Sequence, residues 1–450
     1  VVAPVHGPRG EGILFDAAID ETFVRRWLQL MEQGRESAMQ QGRLRGFRLS
    51  SYDAIRGAEP IADIKRLDGE QSNTSFRLGW RMMLKLYRRF GDGVNPDFEV
   101  LRYLTEDASF ARIPRAAGAV QYERDGKEPV TVTLVQEWVE NQGNGWTYTL
   151  DELGRFYDRV IGQFSALQPV GFKQGLPTAG ESATLPARAQ ELIGPYLQSA
   201  AILGKRTAEL HRALAGAAPA NAAFAAQPLT DAYLAGVCER IAASSRNAMD
   251  ALKRKLPDLP APLQAKAQSL LDARSSLTCV QPPRLSNELP RGRIRTHGDY
   301  HLAQVVWSNN DFIIVDFEGE PLRSLRERRE KQSPLRDVAG MLRSFHYAAY
   351  SALFKAAADR PADFEKLDPA AAWWASWAVS RFVRAYRETL AGAGLAPDDS
   401  KEFQTLLNLF LLEKTLYEIQ YELDNRPTWL GIPIAGALAV IGEPALAASA

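Results

Sequence analysis

The chain is 450 residues long, 46% hydrophobic, and carries 54 basic against 54 acidic side chains, a formal net charge of zero. That length allows a large core shared by two or three folding units. The balanced charge excludes a global field that would recruit nucleic acid or an anionic membrane. Two cysteines, Cys238 and Cys279, are too few for a disulfide framework and lack metal-ligand spacing, so they read as half-buried thiols. No secretory signal opens the chain and no apolar run reaches the length of a membrane span; Gly442 and Pro444 interrupt the alanine-rich end. The expected location is the cytoplasm, and a start at Val1 rather than methionine reads as a module of a longer polypeptide.

In chain order, "DETFVRRWLQLMEQ" places Phe23, Trp27, Leu28 and Met31 at helical spacing and reads as a cap or docking helix. From Ile61 to Phe90 the pattern changes to short strands, "IADIKRL", "SFRL" and "RMMLKLYRR", with a tight turn at Leu78-Gly79-Trp80 between the last two. "NPDFEVLRYLTE" is a helix start with Asn95 as N-cap and Pro96 at the first helical position. "VTVTLVQEWVE" is a further strand, ending in the loop "NQGNGW". Helices follow for over a hundred residues, beginning at Thr149, whose Glu152 three residues on suggests a capping box. Within this helical region only "QVVW" and "FIIVDF", flanking Ser308-Asn309-Asn310-Asp311, give a β-hairpin signal. The expected division is a cap over residues 1–60, a β-rich lobe over 61–146 and a helical lobe over 147–450.

The hairpin carries the chemistry. "RTHGDYHLAQVVWSNNDFIIVDFEGEP" holds two of the five histidines and a cluster of carboxylates. In protein-kinase-like phosphoryl transfer, a loop Asp orients or deprotonates the acceptor hydroxyl, an amide five residues later binds Mg²⁺, and a second Asp ligand ends the next strand. Asp299, Gln304 and Asp316 fit that order, with oxygen ligands suited to Mg²⁺. Two other readings are a structural turn with His297 bonding backbone, and a zinc site built on His297, Asp299 and His301. For zinc, no thiolate or third histidine lies nearby.

Upstream, Lys85 alternates with Leu84 and Leu86 and so points into a cleft, where it can bridge ATP phosphates, with Glu99 on the following helix as its ion-pair partner. The loop "DGEQSNTS" has one glycine, Gly69, so backbone N–H groups of Ser72, Asn73 and Thr74 are expected at the triphosphate. Backbone groups of Gln136, Glu137 and Trp138 are expected to read adenine.

Together with "NQGNGWTYTLDELGRF", "SPLRDVAGMLRSFHYAA" and "EKTLYEIQYELDNRPTWLGIPI", these blocks resemble the aminoglycoside-phosphotransferase-like kinases and, more closely, bacterial maltokinases, over roughly residues 13 to 435. The resemblance is greatest to the maltokinase module fused behind trehalose synthase. It implies an α+β, two-lobed protein-kinase-like fold with an amino-terminal cap, and ATP- and Mg²⁺-dependent phosphorylation of maltose at its anomeric hydroxyl. It also implies a fused or associated trehalose synthase as partner, and neither nucleic acid nor membrane.

Carried over by position, Asp299 becomes the catalytic base, Gln304 and Asp316 the metal ligands and Lys85 the phosphate clamp. His301, Lys414, Tyr417, Glu418 and Arg426 become the maltose contacts, although Tyr417 and Tyr421 at helical spacing also suit a core. Arg336 is open between the sugar and a nearby carboxylate, and "WWASW" between a sugar platform and packing. One departure is Ala303 where the family has glycine, which would be strained if that position required a positive φ. The alternatives are a kinase of the same fold acting on an aminoglycoside, choline or a methylthio-sugar, and a kinase-like scaffold without turnover.

Overall fold

The structure is a computed structural model that describes residues 2–8, 10–67, 73–162, 185–216, 221–279, 281–358 and 363–442. The chain divides into two units, Val1–Glu140 with Ile314–Arg329, and Asn141–Ile313 with Glu330–Ala450.

The first unit is built on strand alternation. A hairpin of β1 (Ala3–Gly7) and β2 (Gly10–Leu14) precedes α1 (Glu21–Glu32), which is N-capped by Asp20. Then follow β3 (Glu36–Met39), β4 (Gly42–Arg48), α2 (Tyr52–Arg56), β5 (Ile64–Arg66), β6 (Asn73–Leu78) and β7 (Met82–Tyr87). The unit continues through α3 (Pro96–Glu106), β8 (Ala116–Glu123) and β9 (Val130–Glu137).

Seven strands form one antiparallel sheet in the order β3-β4-β8-β9-β7-β6-β5. One face buries Phe76, Leu78, Leu84 and Leu86 against Val24, Leu28 and Met31 of α1, each large apolar side chain contributing about 1.5–3 kcal/mol when fully buried. The helix lies so close that a Cβ at Gly46 would stand 2.2 Å from the Leu30 carbonyl oxygen. The amino-terminal cap is thereby fastened to the sheet, with β3 and β4 paired into it and α1 packed on it. Because period-2 alternation fixes which residues face α1, Lys85 must point to the other face.

The second unit is helical: α4 (Gly145–Gly162), α5 (Ala187–Ile193), α6 (Tyr196–Leu214), β10 (Gln227–Leu229), α7 (Asp231–Lys255), α8 (Ala261–Asp272) and β11 (Leu289–Arg293). The expected hairpin follows as β12 (Val305–Ser308) and β13 (Asp311–Ile314), with Asn309 and Asn310 both left-handed, as a two-residue type I′ turn requires. After α9 (Leu325–Arg328), which lies in the first unit, come α10 (Leu335–Ala356), α11 (Phe364–Leu390), α12 (Ser400–Asn425) and α13 (Gly431–Ile441). Among the described residues no helix is long and apolar enough to cross a membrane.

Two expectations are corrected and one open alternative is decided. Helix α4 begins at Gly145, ahead of Thr149. The Asn144 side chain accepts the Thr147 N–H, and Thr149 turns its hydroxyl back to the Gly145 carbonyl, so the capping box does not form. The two cysteines are not thiols: the chain returns after α8 and brings Cys279 to a disulfide with Cys238, with Cα atoms 4.9 Å apart. The "WWASW" segment is packing, since Trp374 is fully buried and Trp373 stacks on Phe156.

Candidate active site

In the first unit Lys85 sits mid-strand in β7, buried, with Nζ 2.8 Å from Asp97 Oδ2 and 2.9 Å from Asp316 Oδ1. Burial works against its charge, but Asp316, Asp97 and Glu318 more than offset this and raise its pKa above the ordinary lysine value. The expected partner was Glu99. That side chain instead accepts from Arg329 at 2.9 and 3.1 Å, two positions further round α3.

Asp97 takes the place because the Asn95 cap and Pro96 set it in the first turn, where its N–H donates to Asn95 Oδ1 and the helix N-terminus favours a carboxylate. Asp97 is fully buried and also accepts from the Tyr87 hydroxyl at 3.1 Å and the Phe317 N–H at 3.0 Å. The last bond ties α3 to the segment after β13. There Asp316 is held at φ 68°, a left-handed conformation in which a non-glycine residue is strained and which recurs at functional sites.

Glu318 is the carboxylate that sequence reasoning passed over. Burial and then the repulsion of Asp97 and Asp316 push its pKa up to about 7, against the pull of Lys85 and of the Asn73 amide, which donates to it. Oxygens of Asp97, Asp316 and Glu318 lie within 4.8 Å of one another. Three hard donors at that spacing fit Mg²⁺, which takes one or two carboxylates and fills its shell with water and phosphate oxygens. The spacing of Glu318 two residues after Asp316 was the available signal.

The expected nucleotide contacts fall out unevenly. Ser72 lies outside the described residues. Asn73 and Thr74 are not loop residues but open β6, in register with Tyr87 and Leu86. Gln136 and Glu137 lie in β9 between two neighbouring strands, and Trp138 follows it. Their backbone is not wholly available to adenine: the Glu137 N–H donates to the Arg115 carbonyl and the Trp138 N–H to that of Arg81. The Glu137 side chain pairs with Arg115. Trp138 Nε1 is buried without a hydrogen-bond partner among the described residues.

In the second unit the loop holding Asp299 hangs from Asp337 of α10. The Asp337 carboxylate accepts the N–H groups of His297 at 2.8 Å and Gly298 at 3.0 Å, and pairs with His211 of α6 at 3.1 Å. His211 in turn meets the Tyr386 hydroxyl of α11 at 3.0 Å. Gly340 lets α10 approach: a Cβ there would be 2.6 Å from the Tyr300 carbonyl oxygen. Three helices thus fix one loop.

Burial alone would raise the Asp299 pKa, but His301, Lys414 and His297 bring it down to about 2, so this carboxylate stays ionised. His301 Nε2 is 3.6 Å from Asp299, while His301 Nδ1 accepts the Ala303 N–H. Ala303 is not among the residues at positive φ, so the alanine there meets no backbone strain. Gln304 closes the short helical turn that His301 caps, donating its N–H to the His301 carbonyl.

Helix α12 supplies some of the expected acceptor residues and withholds others. Lys414, which acts on Asp299, lies over the Tyr417 ring at 5.0 Å, and Tyr417 stacks with Tyr421. The expected maltose contact Glu418 is committed to the core: it is buried and accepts from Arg343 at 2.8 Å. Arg426 folds back on its own helix, paired to Glu422 at 2.7 and 3.0 Å. Arg336 pairs with Glu413 at 3.2 Å rather than with Asp337.

The architecture is the α+β, two-lobed protein-kinase-like fold of the aminoglycoside-phosphotransferase type. No protein-family model matches the chain. It is 25% identical over 387 residues to a glucosamine kinase of Streptacidiphilus jiangxiensis, covering 85% of this chain and 74% of that protein. To a glucosamine kinase of Mycolicibacterium smegmatis it is 23% identical over 393 residues, covering 86% and 80%. A solved glucosamine kinase structure superposes with a TM-score of 0.62 at 21% identity, covering 96% of this chain and 83% of that one. Another, in complex with glucosamine, ADP and inorganic phosphate, gives a TM-score of 0.59, also at 21% identity, with 96% and 85% covered. At these identities the structural likenesses establish the fold.

Proposed function

We propose that this protein is an ATP-dependent sugar kinase that transfers the γ-phosphoryl group of ATP to the anomeric hydroxyl of maltose, giving maltose 1-phosphate and ADP. The observation that carries the phosphoryl-transfer reading is the buried Lys85 between Asp97 and Asp316, with Glu318 beside them. A buried cation among three carboxylates suits polyphosphate and Mg²⁺ bound together. Lys85 clamps phosphate oxygens, and Asp316, Glu318 and the expected Gln304 are the groups to hold the metal. When bound, the metal neutralises charge on the β- and γ-phosphates.

Asp299 accepts a hydrogen bond from the acceptor hydroxyl and aims its oxygen at the γ-phosphorus. The new P–O bond forms as the bond to the β–γ bridging oxygen breaks, and the hydroxyl proton passes to Asp299. A carboxylate with a pKa near 2 is too weak a base to deprotonate the hydroxyl early. Its work is alignment, with proton transfer late in a loose transition state. A hemiacetal hydroxyl, more acidic than an ordinary alcohol, suits such a base.

The choice of a neutral sugar rests on Lys414. Its ammonium acts on Asp299 and lies over Tyr417, so a second ammonium on the acceptor would meet repulsion, while a hydroxyl would find a donor. The relatives favour a second reading, glucosamine as acceptor. Association with a trehalose synthase, implied by the resemblance, belongs to this same proposal. A scaffold without turnover would leave the Lys85 cluster and the ionised Asp299 without a role.

The test is ADP release from Mg-ATP with maltose, glucose, trehalose, glucosamine, choline and an aminoglycoside. Turnover with maltose, reduced roughly 10²–10⁴-fold in Asp299→Ala, supports the proposal. Turnover with glucosamine alone replaces the acceptor, and no turnover with any of them favours the scaffold.

A further inference from the structure

After β13 the chain turns sharply at two left-handed residues, Asp316 at φ 68° and Gly319 at φ 74°. Phe317 and Glu318 stand between them, and each is held by its backbone. The Phe317 N–H donates to Asp97, and the Glu318 carbonyl accepts from Arg328 Nη1 at 3.1 Å. The Arg328 stem lies over Gly319, where a Cβ would stand 3.4 Å from its Cγ. Asn73 of β6 holds the Glu318 side chain, so the carboxylate is fixed from one side and its backbone from the other.

Arg328 can brace this turn because α9 is itself anchored. Ser324 and Glu327 form a capping box that closes the short helix. Leu325 packs on the segment before α3, where a Cβ at Gly91 would stand 3.1 Å from it and one at Gly93 3.3 Å. Arg329, next in the chain, bridges Glu99 of α3 at 2.9 Å and Glu128 at 3.0 Å. Arg328 joins neither of these pairs. Among the described residues it meets no carboxylate, and its Nε is buried without a hydrogen-bond partner. An unmatched buried donor costs free energy, and a methionine stem would cover Gly319 without that cost. What an arginine adds at this position is the bond to the Glu318 carbonyl.

We propose that Arg328 is a positioning residue for the metal: by holding the Glu318 carbonyl and closing the Gly319 turn, it sets the direction of the Glu318 carboxylate. It acts through the backbone, since the charges that act most on the Glu318 carboxyl are Lys85, Asp97 and Asp316. This role rests on the reading of Asp316 and Glu318 as groups that take Mg²⁺ together with polyphosphate, and is independent of the acceptor.

The test follows the thermal unfolding midpoint of the full chain in saturating ATP as Mg²⁺ is titrated. It compares the parent with Arg328→Met, Gly319→Ala and Arg326→Met, the last at an exposed arginine of the same helix. Arg328→Met raises the half-saturating Mg²⁺ concentration roughly tenfold, as loss of a partner that orients a metal ligand does. Gly319→Ala, strained at its positive φ, moves it in the same direction, and Arg326→Met leaves it unchanged. The shift given by ATP with excess chelator stays that of the parent in all three. An unchanged Mg²⁺ requirement in Arg328→Met overturns the proposal. So does an equal loss of the chelator-resistant shift, which would make Arg328 a general support of the unit. Because no acceptor is present, a failure to phosphorylate maltose leaves this result readable. A parent that gains nothing from Mg-ATP overturns the metal reading and the role of Arg328 together.

Discussion

Asp97, rather than Glu99, holds Lys85: the ammonium lies 2.8 Å from Asp97 Oδ2, while Glu99 pairs with Arg329. Because the Asp97 carboxylate also binds the Phe317 N–H, one side chain positions both the phosphate clamp and the residue after Asp316. Asp97→Asn is therefore expected to raise KM for ATP about tenfold or more and to lower stability by roughly 1–3 kcal/mol, since it weakens a buried charged network. Glu99→Gln is expected to change KM for ATP by less than about threefold, because its partner is a partly exposed arginine. Steady-state kinetics and urea unfolding of the two variants check this.

The buried Arg343–Glu418 pair predicts a different kind of failure. Glu418→Ala strands a buried guanidinium and should cost about 3–5 kcal/mol, whereas Arg343→Met with Glu418→Leu should recover most of that loss. Urea unfolding separates the two. Maltose KM in the double variant should stay near that of the parent, since Glu418 points into the core.

His346 gives the protein an acid sensitivity with a definite sign. Burial, and then the neighbouring Arg343, hold its folded pKa at about 3 against an ordinary 6.5. The unfolded chain thus takes up this proton first. The stabilising contribution is complete above about pH 6.5 and is lost as pH falls from there towards 3. Urea midpoints at pH 7.5 and pH 5 should differ more for the parent than for His346→Gln. An equal fall in both would assign the acid sensitivity to other groups.

Nucleotide binding should depend on the carboxylate trio. Mg-ATP is expected to raise the thermal unfolding midpoint, and ATP with excess chelator to do so much less. Asp316→Asn should abolish the metal-dependent part of the shift, and Glu318→Gln should reduce it. A shift unaffected by either variant would remove Asp316 and Glu318 from the metal's shell.

The parts of this site legible in the sequence are those fixed by local rules. Strand alternation sent Lys85 away from Leu84 and Leu86, and the Asn309-Asn310 turn set the hairpin that ends near Asp316. Asp97 was not legible because its role depends on the position of α3 against β7, which cap residues alone do not give. Strand β8, "AAGAVQYE", escaped notice because alanine and glycine carry little strand signal and its central position in the sheet comes from pairing with β4 and β9. Glu418 looked available on its helix until Arg343, 75 residues away in sequence, claimed it. The disulfide was hidden by a separation of 41 residues, which only the return of the chain after α8 closes.

The most direct test of the central claim is phosphorus NMR of the product formed from Mg-ATP and maltose. The account predicts an anomeric phosphate on maltose, formed by the parent protein and absent with Asp299→Ala. No phosphate on maltose, or a phosphate on a maltose hydroxyl other than the anomeric one, would contradict it.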